Sequence, residues 1–434
     1  MIRTPLWQVP LINAGYESAA IESSQYRSGM PQAQKAAQSY GFRIALFYGA
    51  LFVVYGMHVP FTPVWLDWRG LSASEISTIM AAPFFLRLFI TPAVALAADR
   101  HANHRQVLIG LAWASLVLVL ALSQAKSFWP ILLLTVPLVI SFATIMPLTE
   151  TIAVMGVRRA GLDYGRMRLW GSLTFIVASF CGGLIVQRAG AGIGICLVAL
   201  GCLLTLLASH LLPHMAKEHD AMPHVGSFWQ AAEPRKLLAS PAFVSFLLAA
   251  GFAQAAHATL LTFGTLIWQH QGLSPAWSGA LWAIGVLAEV GLFAYSGPLI
   301  GRFGPVNLLI LAAIVSIVRW GVMALDPPLW ALVPLQLLHA MTYGGSHVAA
   351  IHFMHQAVPR SAAGSAQALY ATVASGIAMG FATLIAGRLY ADFGGGSYAA
   401  MAGISVLSLA AALRLRTLWN GGGLFDGTAS TQSA

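Results

Sequence analysis

The stretch GLSASEISTIMAAPFFLRLF, residues 70–89, returns at residues 272–291 as GLSPAWSGALWAIGVLAEVG. Few side chains are identical. Each copy nevertheless begins Gly-Leu-Ser, stays apolar for about the length of a membrane span, and reaches a basic turn without a gap, at Arg100 in one and Arg302 in the other. Both copies run in the same direction, so the chain reads as two related halves in tandem. The same alignment sets Arg87 against Glu289, each midway along its run.

Composition says what kind of chain repeats in this way. Of 434 residues, 58% are hydrophobic and only 9% charged, against about 25% charged in soluble domains. Apolar runs recur from Phe42 to Leu415, each of roughly 20 residues, enough for a bilayer core of about 30 Å. The fold class that follows is an all-α polytopic membrane protein, in which scattered Pro and Gly are tolerated. The net charge of +9 does not mark a nucleic-acid binder, because the basic residues sit in short loops. Cys181, Cys196 and Cys202 all fall inside apolar runs and have no metal-ligand or disulfide spacing, so they are read as packing residues.

Twelve spans are expected, near 42–66, 74–98, 105–124, 128–155, 166–187, 191–212, 241–269, 276–300, 305–325, 329–354, 362–387 and 396–416. They form two six-helix bundles, 42–212 and 241–416, joined by a polar cytoplasmic linker at 213–240. A flexible cytoplasmic extension at 1–41 precedes them and a cytoplasmic tail at 417–434 follows. Basic residues crowd the loops on the side of the termini, whereas the other side holds only Arg69, Lys126, Arg188 and Arg388. That asymmetry places both termini in the cytoplasm.

A charge at the bilayer centre costs about 3 kcal/mol on insertion scales, so deep ionisable groups face a cavity or a partner. They are Arg87, Glu150, Arg168, Glu289, Arg319, His257, His339 and His347. Glu150 and Arg168 lie nine residues to either side of Arg159 in the turn between spans four and five. Two antiparallel helices therefore bring them to equal depth, as a substrate-site pair or as a pair that only closes the hairpin. Arg319 and His339 lie ten residues to either side of the turn at Pro328–Leu329, which makes them a coupled site or a plain interhelical contact. Arg87 and Glu289 would neutralise one another as a static ion pair, or serve ligand and proton separately. Glu289 is the leading proton carrier, since a carboxylate in an apolar cavity holds its proton more tightly until an arginine approaches. His257 lines the pore or makes an interhelical hydrogen bond. His347, His352 and His355 would need further carboxylates or cysteines to hold a metal, and no metal site is expected. Asp99 and Arg100, with Asp163, are expected to latch one conformation.

ALAADRHANHR, residues 95–105, resembles the cytoplasmic signature of the major facilitator superfamily, with Ala102 in place of the usual glycine. YGMHVPFTPVWLDWRGLS (55–72), LDYGRMRLWGS (162–172), GVLAEV (285–290), VRWG (318–321) and LLHAMTYGGSH (337–347) resemble the phenylpropionate permease group of proton symporters. That group is similar to the lactose and nucleoside permeases. The resemblance implies substrate binding by Glu150 and Arg168, and places Glu289, Arg319 and His339 at the family's acidic, arginine and histidine positions on helices eight, nine and ten. Thr342 stands where lactose permease has a proton-carrying glutamate, so the proton must move to Glu289, Glu150 or His339, or coupling is absent.

The expected function is import of a small organic, aromatic carboxylate with a proton, by alternating access in a bacterial inner membrane, without a cofactor and as a monomer. Arg168, Glu150, Arg319, His257, Tyr55 and Arg87 are the expected substrate residues, with Glu289 and His339 for the proton. Tyr48, Tyr55, Phe61 and Trp282 suit a ring, and the surplus of deep arginines suits an anion. The alternatives are a sugar or nucleoside symporter, and a solute sensor with the same fold. A membrane enzyme built on His347, His352 and His355 has no convincing nucleophile or metal cluster to support it.

Overall fold

The computed structural model describes residues 19–100, 104–213 and 232–425, apart from the side chains of 19–36, 99–100, 159–160 and 232. Among them every regular element is helical. The first half contains α1 (Ala19–Trp68), α2 (Ala73–Arg100), α3 (His104–Gln124), α4 (Phe128–Ala160), α5 (Tyr164–Ala189) and α6 (Gly194–Leu211). After a short linker helix, Ala232–Ala239, α7 follows in two pieces, Pro241–Ala255 and Ala258–His270. Next comes α8, Pro275–Ala294. The helical stretch Ser296–Met323 turns over at Gly304 (φ 70°, ψ 166°). Its first residues prolong α8, and 305–323 form α9. Two helices carry a wide π turn at mid-span. In α10, Leu329–Leu337 is followed by the π turn Ala340–Gly345 and then Ser346–Ala357. In α11, Ala363–Tyr370 is followed by the π turn Ala371–Ala378 and then Met379–Phe393. The last is α12, Tyr398–Leu418.

Ten helices among the described residues are long and apolar enough to cross a membrane. One of the ten, Arg360–Leu418, is 59 residues long; it holds both α11 and α12 and turns at Gly394, where φ is 54°. With α10, which its π turn divides, the spans number twelve, as the sequence predicts. The first helix differs from expectation at its start. Ala, Gln and Lys in AAIESSQYRSGMPQAQKAAQ favour helix, and α1 is already helical at Ala19, well ahead of the apolar run from Phe42.

The two Gly-Leu-Ser stretches are one structural joint built twice. At the end of α1, Gly70 takes φ 82°, its N–H donates to Asp67 O at 2.8 Å, and Leu71 N–H donates to Leu66 O at 3.3 Å. At the end of α7, Gly272 takes φ 87°, its N–H donates to Gln269 O at 3.0 Å, and Leu273 N–H donates to Trp268 O at 2.9 Å. Both are Schellman caps, which need a left-handed residue. Serine then starts the next helix. Ser72 exchanges hydrogen bonds with Glu75 in a capping box at α2, and Ser274 accepts Trp277 N–H at 3.3 Å at α8. Gly272→Ala is therefore expected to cost about 1–2 kcal/mol, because an L-residue is strained in this conformation. Gly403→Ala, in a helix where a Cβ meets nothing within 4 Å, is the control. Equal thermal midpoints for the two purified variants would overturn the assignment.

The halves meet along two main seams, and α1 also touches the second piece of α7. α5 packs on α8, where Gly183 faces Pro275 O and Gly279 faces Ser179 O. α2 packs on α11, where Gly387 faces Ser77, Gly380 faces Phe85 and Gly376 faces Leu88. These approaches all lie between mid-depth and the side of the membrane opposite the chain ends, called here the far side. Backbones come this close only where one partner lacks a side chain.

Candidate functional site

The hairpin α4–α5 brings Glu150 and Arg168 together, as equal depth requires. Arg168 Nε is 3.7 Å from Glu150 Oε1, with 29% and 32% of the two side chains exposed. The other carboxylate oxygen, Oε2, accepts a hydrogen bond from the Tyr164 hydroxyl. The guanidinium lies over the rings of Phe52, at 4.2 Å, and Tyr48, at 5.5 Å. An arginine resting on aromatic faces keeps its charge with little water, since the ring quadrupoles attract it.

The second cluster sits where α7 breaks and α10 widens. His257 is the N-cap of the second piece of α7. Its Nδ1 is 3.0 Å from Ala253 O; a carbonyl only accepts, so Nδ1 carries the proton and Nε2 is an acceptor. The Thr342 hydroxyl, 3.1 Å from that Nε2, therefore donates to it. Thr342 in turn accepts from Arg319 Nη1 at 2.8 Å. Arg319 is fully buried. It also donates to Gln336 Oε1 at 3.0 Å and to His339 Nδ1 at 3.3 Å, and lies 4.3 Å over the Trp320 ring. With Nδ1 accepting, neutral His339 has its proton on Nε2, which points at Glu289 Oε2 3.9 Å away. Bonds thus run from one buried guanidinium through Thr342 to His257, and through His339 toward Glu289. Arg319 and His339 meet, as the sequence predicts.

Each cluster has a tyrosine beside it. Tyr55 donates to Phe142 O at 3.2 Å and packs on Phe52 at 5.4 Å. Tyr343 stacks on His339 at 5.2 Å. Glu150 and Arg168 belong to the first half and Arg319, His339 and Glu289 to the second, so each half carries one charged cluster.

Of the two readings of Arg87 and Glu289, the static ion pair is not formed. Arg87 donates instead to Ser375 O in the π turn of α11 and lies 4.7 Å over Phe84, while Glu289 faces His339. The reason is topological: α2 packs on α11 and α8 packs on α5, so equal depth in repeat-related helices does not make them neighbours. Asp163, expected in a latch, caps α5, accepting Arg166 N–H at 3.1 Å and pairing with the Arg166 side chain at 3.7 Å. Those contacts are local to one helix start. The side chains of Asp99 and Arg100 lie outside the described residues. His347, His352 and His355 join no group of three or more potential metal ligands among the described residues. A wide groove of about 880 Å³ lies between α1, α5 and α6, lined by Phe42, Leu46, Trp170 and Leu207. Those side chains are exposed, so the groove opens on the outer surface of the bundle, with Asp163 and Arg166 also on its wall.

Sequence reasoning missed Gln336, Thr342 and Tyr164 as partners. Gln336 was the most findable, a polar residue one turn before His339 on the same helix face.

Residues 42–399 match the family described as MFS_1 like. The chain is 30% identical over 365 residues to the probable 3-phenylpropionic acid transporter of Escherichia coli (strain K12), covering 83% of this chain and 93% of that one. It is also 30% identical over 358 residues to the maltose permease of Geobacillus stearothermophilus, covering 79% and 86%. The crystal structure of the nucleoside transporter NupG superimposes with a TM-score of 0.76 at 14% identity, covering 87% of this chain and 99% of that one. With twelve spans in two packed halves, each carrying a charged cluster, the chain belongs to the MFS_1 like family of the major facilitator superfamily and is a multi-pass membrane transporter, not an enzyme.

Proposed function

We propose that the chain is a proton-coupled importer of a small aromatic carboxylate. The observation that carries this reading is the setting of Arg168: a guanidinium over two aromatic rings, held by a carboxylate at 3.7 Å. Its planar fork suits a carboxylate, and the neighbouring rings of Phe52 and Tyr55 suit an aromatic body. Arg87 adds a second cation, whereas Arg319 and His257 act from behind, through Thr342 and His339. The name of the Escherichia coli relative agrees with this class. Glu289, with the His339 Nε2–H pointing at it, is the proton carrier. The chain has no GxxxxGK[ST] phosphate-binding loop, so the proton gradient drives transport without a resident cofactor. The crowding of basic residues in the loops on the side of the chain ends supports a bacterial inner-membrane protein with both termini cytoplasmic, acting as a monomer.

A sugar symporter is the second reading, favoured by the maltose permease relative. Uptake of radiolabelled 3-phenylpropionate, maltose and uridine into proteoliposomes separates the two. The expected result is accumulation of the acid alone, abolished by a protonophore. Accumulation of maltose alone, or of the acid in the presence of protonophore without another ion requirement, would overturn the proposal.

A further inference from the structure

Tyr164 is the first residue of α5 and precedes Arg168 by four residues, so phenol and guanidinium project from one helix face. They meet Glu150 at different oxygens: Tyr164 donates to Oε2, and Arg168 Nε stands 3.7 Å from Oε1. At that separation the carboxylate and the guanidinium form an ion pair without a hydrogen bond. The tyrosine therefore makes the closer contact with Glu150, and it draws the carboxylate along α5 toward the helix start. This leaves the Arg168 contact one-sided, at Nε. Nη1 lies on the side of Gly171, where a Cβ would come within 3.1 Å of it. The absence of a side chain at Gly171 leaves room around that arm.

We infer that Tyr164 sets the affinity of the site by holding Glu150 off the fork of Arg168. This rests on the reading that Arg168 binds the substrate carboxylate. An incoming carboxylate competes with Glu150 for one guanidinium. A Glu150 released from Tyr164 rotates into a two-bond contact with Arg168, the stronger geometry for this pair, and the competitor gains. Tyr164 is thus a positioning residue. It needs no contact with substrate, and its hydroxyl matters only while residue 150 is a carboxylate.

The test is a double-mutant cycle on equilibrium binding of radiolabelled 3-phenylpropionate to the full-length protein in detergent, with thermal midpoints measured alongside. Tyr164→Phe is expected to raise the dissociation constant about tenfold, the size of one hydrogen bond to a charged group. Glutamine cannot form the competing ion pair, so in a Glu150→Gln background the same change should leave binding within about twofold. Should Tyr164→Phe fail to accumulate, Tyr164→Leu, which also lacks the hydroxyl, carries the same comparison. An equal loss in both backgrounds would reduce Tyr164 to a structural residue, and no loss in either would remove it from the site. Arg168→Lys keeps the two failures apart. If that variant binds normally, the reading of Arg168 fails. If it binds weakly while Tyr164→Phe binds normally, only the role of Tyr164 fails.

Discussion

Arg168→Lys should weaken binding of an aromatic carboxylate roughly 10- to 150-fold, or about 1.5–3 kcal/mol, in a protein that still folds. Lysine keeps the charge, so the partnership with Glu150 is not abolished outright. What disappears is the planar fork, which meets a carboxylate through two parallel bonds. The flat surface resting 4.2 Å above Phe52 disappears too, and an ammonium, more strongly hydrated than a guanidinium, gains less from an aromatic face. Binding of labelled 3-phenylpropionate measures the first effect. Countertransport in proteoliposomes shows whether the weakened site still cycles. Unchanged affinity would exclude Arg168 as the anion-binding group.

Glu289→Gln should separate exchange from accumulation. Glutamine imitates the protonated acid in shape and charge, so the loaded transporter can still reorient, and counterflow of labelled substrate should persist. Without a proton to release, uphill uptake should collapse, and internal substrate should reach only the external concentration under an imposed pH gradient. The contact of Glu289 with His339 Nε2 at 3.9 Å makes the histidine its immediate neighbour. Full accumulation by the variant would pass the proton to His339 or Glu150.

Much of this arrangement was legible in the residues. Span positions follow from apolar length, and the tandem halves follow from the Gly-Leu-Ser joints, whose left-handed glycines and serine caps recur because the same turn is built twice. Glu150–Arg168 and Arg319–His339 were readable for a simple reason. Neighbouring antiparallel helices place residues equidistant from their turn at one depth. Arg87 and Glu289 show where that logic stops, since depth says nothing about which helices touch. The widened turns in α10 and α11 were hidden as well. A π turn is a choice of hydrogen-bond register that small residues permit without dictating. Thr342 was dismissed for lacking a proton to carry. It proved instead to be the hydroxyl that accepts from Arg319 and donates to His257, a role visible only once two helices are laid side by side.

The hydrogen bond from Arg87 to Ser375 O has a thermodynamic consequence. It spans the α2–α11 seam, and a desolvated guanidinium cannot give up an acceptor at this depth without another to replace it. Any state in which α2 and α11 separate there must supply one, either a substrate oxygen or water admitted between the halves. On the proposed reading of Arg87 as a substrate residue, separation of the seam and binding of substrate are linked functions with one coupling free energy: whatever favours a ligand oxygen on Arg87 favours an open far side to the same degree, and the reverse holds equally.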